Sequence, residues 1–332
     1  RHASRQATPI IPLAQARANK PVIDWENETP LRPKFLGRRL FKNFDLHELA
    51  QYIDWTPFFQ TWSLFGSYPA ILEDHVVGEQ AKKVFADGQA MLKRMIDGRW
   101  LTANGILAFY PANQVNDDDI EVYRDETREE VLFTWRGLRQ QGVKREGVEN
   151  KCLADFIAPR ESGVIDYIGM FAVTAGVGIE KQEQRFINEQ DDYSAIMFKS
   201  LADRLAEAFA EALHVRVRTD LWGYAPDESL SMEGLIKEQY QGIRPAPGYP
   251  ACPEHVVKRD MFDVLQAQDI GMILTESYAM NPAASVSGFY FSHPQSQYFN
   301  VGMIGEDQVR DYAERSQRTE KDLNSTLAPV IA

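Results

Sequence analysis

Arg244-Pro245-Ala246-Pro247-Gly248-Tyr249-Pro250 is the stretch of this 332-residue chain best suited to chemistry. Its three prolines fix φ and stiffen the backbone, while Gly248 permits a close approach or a positive φ. An arginine heading such a loop can hold a carboxylate in a bidentate fork as nearby backbone groups read a planar base. A plain rigid connector fits the same residues, and both readings stand at this point. Asp54 lies among Trp55, Phe58, Phe59 and Trp62. It reads either as the cap of a helix beginning near Pro57, with the rings as core, or as a carboxylate beside aromatic walls that suits a cationic ligand.

Other motifs carry less. Glu211 and His214 form an E-x-x-H with Glu207 one turn earlier. Di-iron bundles need a second copy of that motif, and none occurs, so a wetted helix face is the preferred reading over a metal site. Glu207 is retained as a lone carboxylate of interest. Ala175-Gly176-Val177-Gly178 follows a candidate strand, but Lys181 stands where a dinucleotide loop needs its third glycine, so a simple turn is expected. No HExxH, G-x-S-x-G or Walker A pattern is present, which removes the residues that metalloprotease, α/β-hydrolase and P-loop chemistry would use.

The elements that must position these groups follow from periodicity. A short helix is expected from Asp45 to Tyr52, with Asp45 as N-cap and Glu48 as its box partner. Residues 74–96 read as a helix. The strongest helix spans about 191–218, where Phe198, Leu201, Leu205, Ala208, Ala212 and Val215 form one stripe. Residues 105–110 and 119–124 read as strands around a turn-rich segment 111–118. Residues 166–174, 285–291 and 297–304 read as further strands, and helices are expected near 258–268 and over 306–316. Paired strands and blocked helices predict an α+β fold with a mostly antiparallel sheet, not a doubly wound Rossmann sheet.

Composition sets the outer limits. Hydrophobic residues at 44% and charged residues at 25% are those of a globular chain with a full core. No apolar run approaches the ~18 residues of a membrane span, and no secretory leader is visible. Cys152 and Cys252 are too few for a disulfide framework or a zinc site, so a reducing cytoplasmic setting is the expectation. Residues 1–42 carry nine Lys/Arg against three acids, while the remainder carries 27 against 45. The body therefore repels nucleic acid and anionic membrane. Residues 1–45, basic and proline-rich, read as a linker that wraps the body, and 46–332 as one domain. The opening Arg1 suggests a piece of a longer polypeptide.

At this point the chain resembles a known family. Residues 53–62 (IDWTPFFQTW), 123–127 (YRDET), 152–159 (CLADFIAP), 166–169 (DYIG), 201–213 (LADRLAEAFAEAL), 244–253 (RPAPGYPACP), 274–280 (LTESYAM) and 286–294 (VSGFYFSHP) are similar to the carboxy-terminal activation domain of cobalamin-dependent methionine synthase. They occur in family order across residues 46–332. The resemblance implies a C-shaped single α+β domain around a bent antiparallel sheet. It implies binding of S-adenosylmethionine and presentation of its methyl group to oxidised cobalamin on a neighbouring module, with a flavodoxin-type partner supplying an electron. The parent enzyme would transfer methyl from 5-methyltetrahydrofolate to homocysteine, with cobalamin and zinc on other modules. The fragment alone is not expected to complete that reaction.

Carried over by position, the resemblance places the ligand carboxylate on Arg244 and the adenosyl part on the loop of Ala246, Gly248 and Tyr249. Asp54 matches the aspartate of the aromatic motif, Glu207 and Glu238 line the amino and sulfonium end, and Tyr298 with Phe299 supply the late aromatics. Val256-Val257 departs from the family's Thr-Glu pair and puts the cap of the following helix in question. The competing readings are a stand-alone S-adenosylmethionine-binding module and a free-standing small-molecule methyltransferase. The latter would need a general base near the methyl group, for which His214 is the nearest candidate. A surface position for the Arg244 loop predicts that the fold survives its truncation.

Overall fold

The computed structural model describes residues 9–332. Helix α1 (Leu13–Ala18) and strand β1 (Gly37–Phe41) precede short helices α2 (Leu46–Ala50) and α3 (Thr56–Thr61) and the long α4 (Gly78–Asp97). Strands β2 (Thr102–Val115), β3 (Asp119–Tyr123), β4 (Val131–Arg136) and β5 (Asp166–Val177) follow. Then come α5 (Ile179–Asn188), α6 (Asp192–Arg216), α7 (Met232–Ile236), α8 (Val257–Leu265), the small strands β6 (Ile273–Leu274) and β7 (Met280–Asn281), β8 (Ser285–Tyr290), α9 (Glu306–Ser316) and α10 (Glu320–Thr326). The main sheet is open, ordered β4-β3-β2-β5-β8, with β1 also on β2, and every pairing in it is antiparallel. The expected α+β class with an antiparallel sheet is what the chain adopts.

Its centre is the β2–β5 pair, in register from Asn104↔Thr174 to Ala112↔Asp166. Both strands are apolar on both faces. Leu107, Phe109, Phe171 and Val173 point to one core with α4 and α6; Ile106, Ala108, Met170 and Ala172 point to a second core with α8. Alternation of side chains along a strand explains how one continuous apolar run serves two layers. α6 supplies Phe198, Leu201, Leu205, Ala208 and Ala212 as expected. Val215 is only half-buried, and Leu213 and Val217 continue the stripe in its place. A third cluster joins Val309, Tyr312 and Ala313 of α9 to Leu323 and Leu327.

Several expectations need correction. Residues 111–115 continue β2 instead of turning; Pro111 falls between the segments of β2 that pair with β1 and with β3, where that edge has no partner. The turn is confined to residues 116–118, with Asn116 and Asp117 at positive φ (52° and 63°), a twist that suits a short hairpin. Residues 297–304 form no strand. Their backbone bonds scatter to Pro250 and Val330, so they have no single strand edge to join. Asp45 caps α2 through His47 N–H, but Glu48 turns to Arg216 at 2.8 Å and completes no box. α8 starts at Val257 without a side-chain cap, as the Val256-Val257 departure implied. Gly178, at φ 82°, is the simple turn between β5 and α5.

Charge explains the path of residues 9–45. Arg17 reaches Asp118 and Asp311, Lys20 reaches Asp117, Arg32 reaches Glu126 and Arg38 reaches Asp269, so the basic segment lies along an acidic body. The exposed ones, such as Lys20–Asp117 and Arg32–Glu126, contribute little individually. The acidic hairpin tip is different. Arg139 is fully buried and bonds Asp118 Oδ1 at 2.9 Å and both oxygens of Asp155 at 2.7 and 2.9 Å. Asp119 takes Arg136 at 3.0 Å and Arg315 of α9. Removing one partner of a buried pair leaves an uncompensated charge, so Arg139→Ala is expected to cost about 3–5 kcal/mol. Urea unfolding of the two proteins measures it; a loss below about 1 kcal/mol, the size of a surface pair, would contradict this assignment.

Candidate functional site

A cleft of about 710 Å³ opens between α6, α7, the 240–250 loop and residues 298–300. Its walls include Asp54, Glu207, Glu238, Arg244, Ala246, Tyr249, Tyr298 and Phe299, eight of the nine residues singled out from the sequence. Gly248 is the exception. It sits at φ 91°, and a Cβ there would stand 2.1 Å from the His255 ring, so its part is to let the loop turn against that ring. Gly248 N–H donates to Cys252 O at 2.7 Å and Tyr249 N–H to Ala246 O at 3.2 Å, which closes the turn.

The loop is held by the sheet. Ile243 and Phe291 exchange backbone bonds at 3.0 Å, and Phe289 N–H donates to Pro245 O at 2.9 Å. These bonds cover the edge of β8 that would otherwise lie open. Gly288 permits the approach, since a Cβ there would meet Pro245 O at 2.8 Å. Arg244 is thereby set over the C-terminal part of α6.

Asp54 lies just before the Trp55 N-cap of α3. Its Oδ1 accepts from Thr56 N–H at 3.1 Å at the start of α3, and its side chain also lines the cleft. Trp55, Phe58 and Phe59 are core, as the capping alternative held. Glu207 and Glu238 have carboxyls raised above their ordinary range by burial, opposed for both by Arg244 and for Glu207 also by Arg204. Tyr249 is 60% exposed at the rim.

The E-x-x-H of α6 is where the sequence reading fails. Glu211 and His214 are buried, not wetted, and they partner Arg244. Arg244 Nη2 donates to Glu211 Oε2 at 2.5 Å, and Nη1 lies 3.0 Å from His214 Nδ1. Tyr240 joins through its hydroxyl, 3.4 Å from Nη1 and 2.8 Å from that of Tyr298, which also accepts from Arg244 N–H at 2.9 Å. Beyond Tyr240 stands Arg218, its guanidinium 4.2 Å from the ring centroid and doubly bonded to Glu228 at 2.6 and 2.9 Å. A wide π-type turn over Val217–Leu221 follows α6 and carries that arginine. The available signal was the i, i+4, i+7 run of Glu207, Glu211 and His214, one face of a helix interrupting an apolar stripe. Among the described residues no group of three or more His, Cys, Asp or Glu could hold a metal ion, and no helix is long and apolar enough to cross a membrane.

Residues 45–317 match the family described as "Vitamin B12 dependent methionine synthase, activation domain". The chain belongs to that family. A solved structure described as "Crystal Structure of the MetH Reactivation Domain bound to AdoHcy" is 52% identical to it, with a TM-score of 0.93, covering 98% of this chain and 99% of that one. The activation-domain fold accounts for the open sheet and for the absence of a Rossmann glycine loop.

Arg244 is thus part of the structural fabric of this activation domain. Its truncation strands Glu211, whose side chain is only 12% exposed and whose Oε1 already has no protein partner among the described residues. Arg244 is not the loose surface group that the expectation of an unaffected loop assumed, since it is paired with Glu211 beneath the cleft wall. Arg244→Ala should lower stability by about 2–3 kcal/mol, and adding Glu211→Gln should restore part of the loss by removing the stranded charge. Thermal melts of the single and double variants check this; a double variant less stable than the single would overturn it.

Proposed function

We propose that this activation domain binds S-adenosylmethionine in the 710 Å³ cleft and presents the methyl group to oxidised cobalamin on a neighbouring module, with a flavodoxin-type protein as electron donor. Residues 1–45 lead in from the cobalamin-binding module, and 46–332 form the ligand-binding unit. The family membership and the related structure with AdoHcy support the reading. The observation that carries it is chemical: Arg244, fixed by Glu211 and His214, shares one cleft with Asp54, Glu207, Glu238 and a set of rings.

S-adenosylmethionine, when bound, supplies an electrophilic methyl group on a sulfonium. The residues of this chain bind and orient. Arg244 takes the carboxylate of the amino-acid end. Glu207, Glu238 and Asp54 offset the ammonium and sulfonium charges. Among the described residues the Ala246 N–H has no protein partner, a donor at the cleft wall that suits the edge of an adenine ring. Tyr249, Tyr298 and Phe299 offer ring faces to the base and the sulfonium. Methyl transfer to a metal centre removes no proton from the acceptor, so this chain needs position more than acid–base chemistry. His214 cannot be the base that a small-molecule methyltransferase would need, because it is fully buried behind Arg244.

Calorimetric titration with S-adenosylmethionine tests the proposal and should give one saturable site; absence of heat and of any thermal shift would refute it. Binding of a cation returns the burial-raised carboxyls of Glu207 and Glu238 to the ionised form. Protons are therefore released on binding at acid pH. Affinity should rise with pH through the raised carboxyl range and level off above it. An affinity that falls with pH over that range would contradict the role of the two glutamates. Arg244→Lys should bind at least about tenfold more weakly, since lysine lacks the planar fork.

A further inference from the structure

His214 has no catalytic or ligand-contacting task available to it, being wholly enclosed beneath the cleft. Its ring stacks on Tyr290 with centroids 5.3 Å apart and meets Tyr240 edge-on at 4.9 Å. Among the described residues its only protein hydrogen bond is to Arg244 Nη1, and Nε2 has no protein partner. A guanidinium has donors only, so Nδ1 must be the acceptor and the ring proton sits on Nε2. Burial, with the positive charges of Arg218 and Arg244, pushes the imidazole pKa well below its ordinary value and keeps that acceptor free of a proton.

Glu211, one helical turn earlier, holds the other terminal nitrogen, Nη2. Two residues three apart on α6 therefore clamp the two ends of one guanidinium and restrict its rotation, His214 making the shorter contact to Nη1 (3.0 Å) and the Tyr240 hydroxyl a long one at 3.4 Å. Arg244 Nε has no protein partner among the described residues, and the group stays 20% exposed at the cleft wall. Glutamate alone would fix charge but not the plane; a second, neutral acceptor fixes the plane without adding a charge beside Arg218.

We infer that His214 is a positioning residue: through Nδ1 it sets the plane of Arg244, so that the guanidinium meets the ligand's carboxylate in a preset orientation. The inference rests on the S-adenosylmethionine reading above. His214→Phe keeps the ring and its stacking but removes the acceptor, whereas His214→Gln keeps an acceptor in a smaller group. Calorimetry with S-adenosylmethionine and with decarboxylated S-adenosylmethionine isolates the carboxylate. His214→Phe should weaken S-adenosylmethionine about tenfold, as for one lost hydrogen bond to a charged group, and the decarboxylated ligand less than about twofold. His214→Gln should recover most of the difference. Equal losses for both ligands would assign His214 to packing alone, and no loss in His214→Phe would remove its role; either result overturns the inference.

A readout without ligand separates this from failure of the functional reading. In wild type the Arg244 Nη1 and Nη2 nitrogens should give separate NMR resonances because rotation of the clamped group is slow. In His214→Phe they should merge, and in His214→Gln stay apart. If wild type binds neither ligand, the S-adenosylmethionine reading falls, and these spectra still decide the clamp. Identical spectra in wild type and His214→Phe would overturn it.

Discussion

The antiparallel pairing of β2 with β5 is the constraint on which the rest of the molecule depends. Two long strands with apolar side chains on both faces cannot face water on either, so each face demands its own helical layer. α4 and α6 cover one face and α8 the other. The cleft is a consequence: α6 crosses the face where β5 meets β8, and the 240–250 segment closes over the outer edge of β8. What lies between them is bounded by the α6 flank and the rigid loop, with α7 and residues 298–300 completing the walls.

That arrangement lines the cleft with one flank of a helix. α6 is buried along most of its length, yet its Glu207, Glu211 and His214 lie toward the loop, His214 also stacking on Tyr290 at the end of β8. Burial would make such groups costly on their own. Arg244 answers two of them from across the gap, and Tyr240 and Tyr298 complete the set. Glu207 is left with a carboxyl raised by burial and no hydrogen-bond partner among the described residues. In the proposed reading, stability and recognition would be coupled at the same arginine.

A second charged assembly operates far from the cleft. The Asp117-Asp118-Asp119 run at the β2–β3 tip gathers five cations, Arg17, Lys20, Arg136, Arg139 and Arg315, from α1 and its end, β4, the segment after it and α9. An acidic run in sequence ordinarily means a solvated turn. Here Asp118 and Asp119 are fully buried, because cations converge on them from α1, β4, the segment after it and α9. The basic surplus of residues 1–42 has its physical reason in the same complementarity, since several of its cations pair with acids of the body.

The sequence by itself determined the class of fold, the long helix α6 with its core stripe, the strand beginning at Asp166 and the loop built on Arg244. Each depends on local periodicity or on residues adjacent in the chain, where proline, glycine and side-chain alternation act directly. Family resemblance named the cleft residues, and eight of them meet in space. Tertiary structure alone decided what Glu211 and His214 do. Helical spacing shows that they share a face but not whether that face meets water or a guanidinium 30 residues further along the chain. It likewise decided that residues 297–304 have no strand to join and that Pro111 stays within β2, because a strand exists only where a neighbouring edge offers its hydrogen bonds.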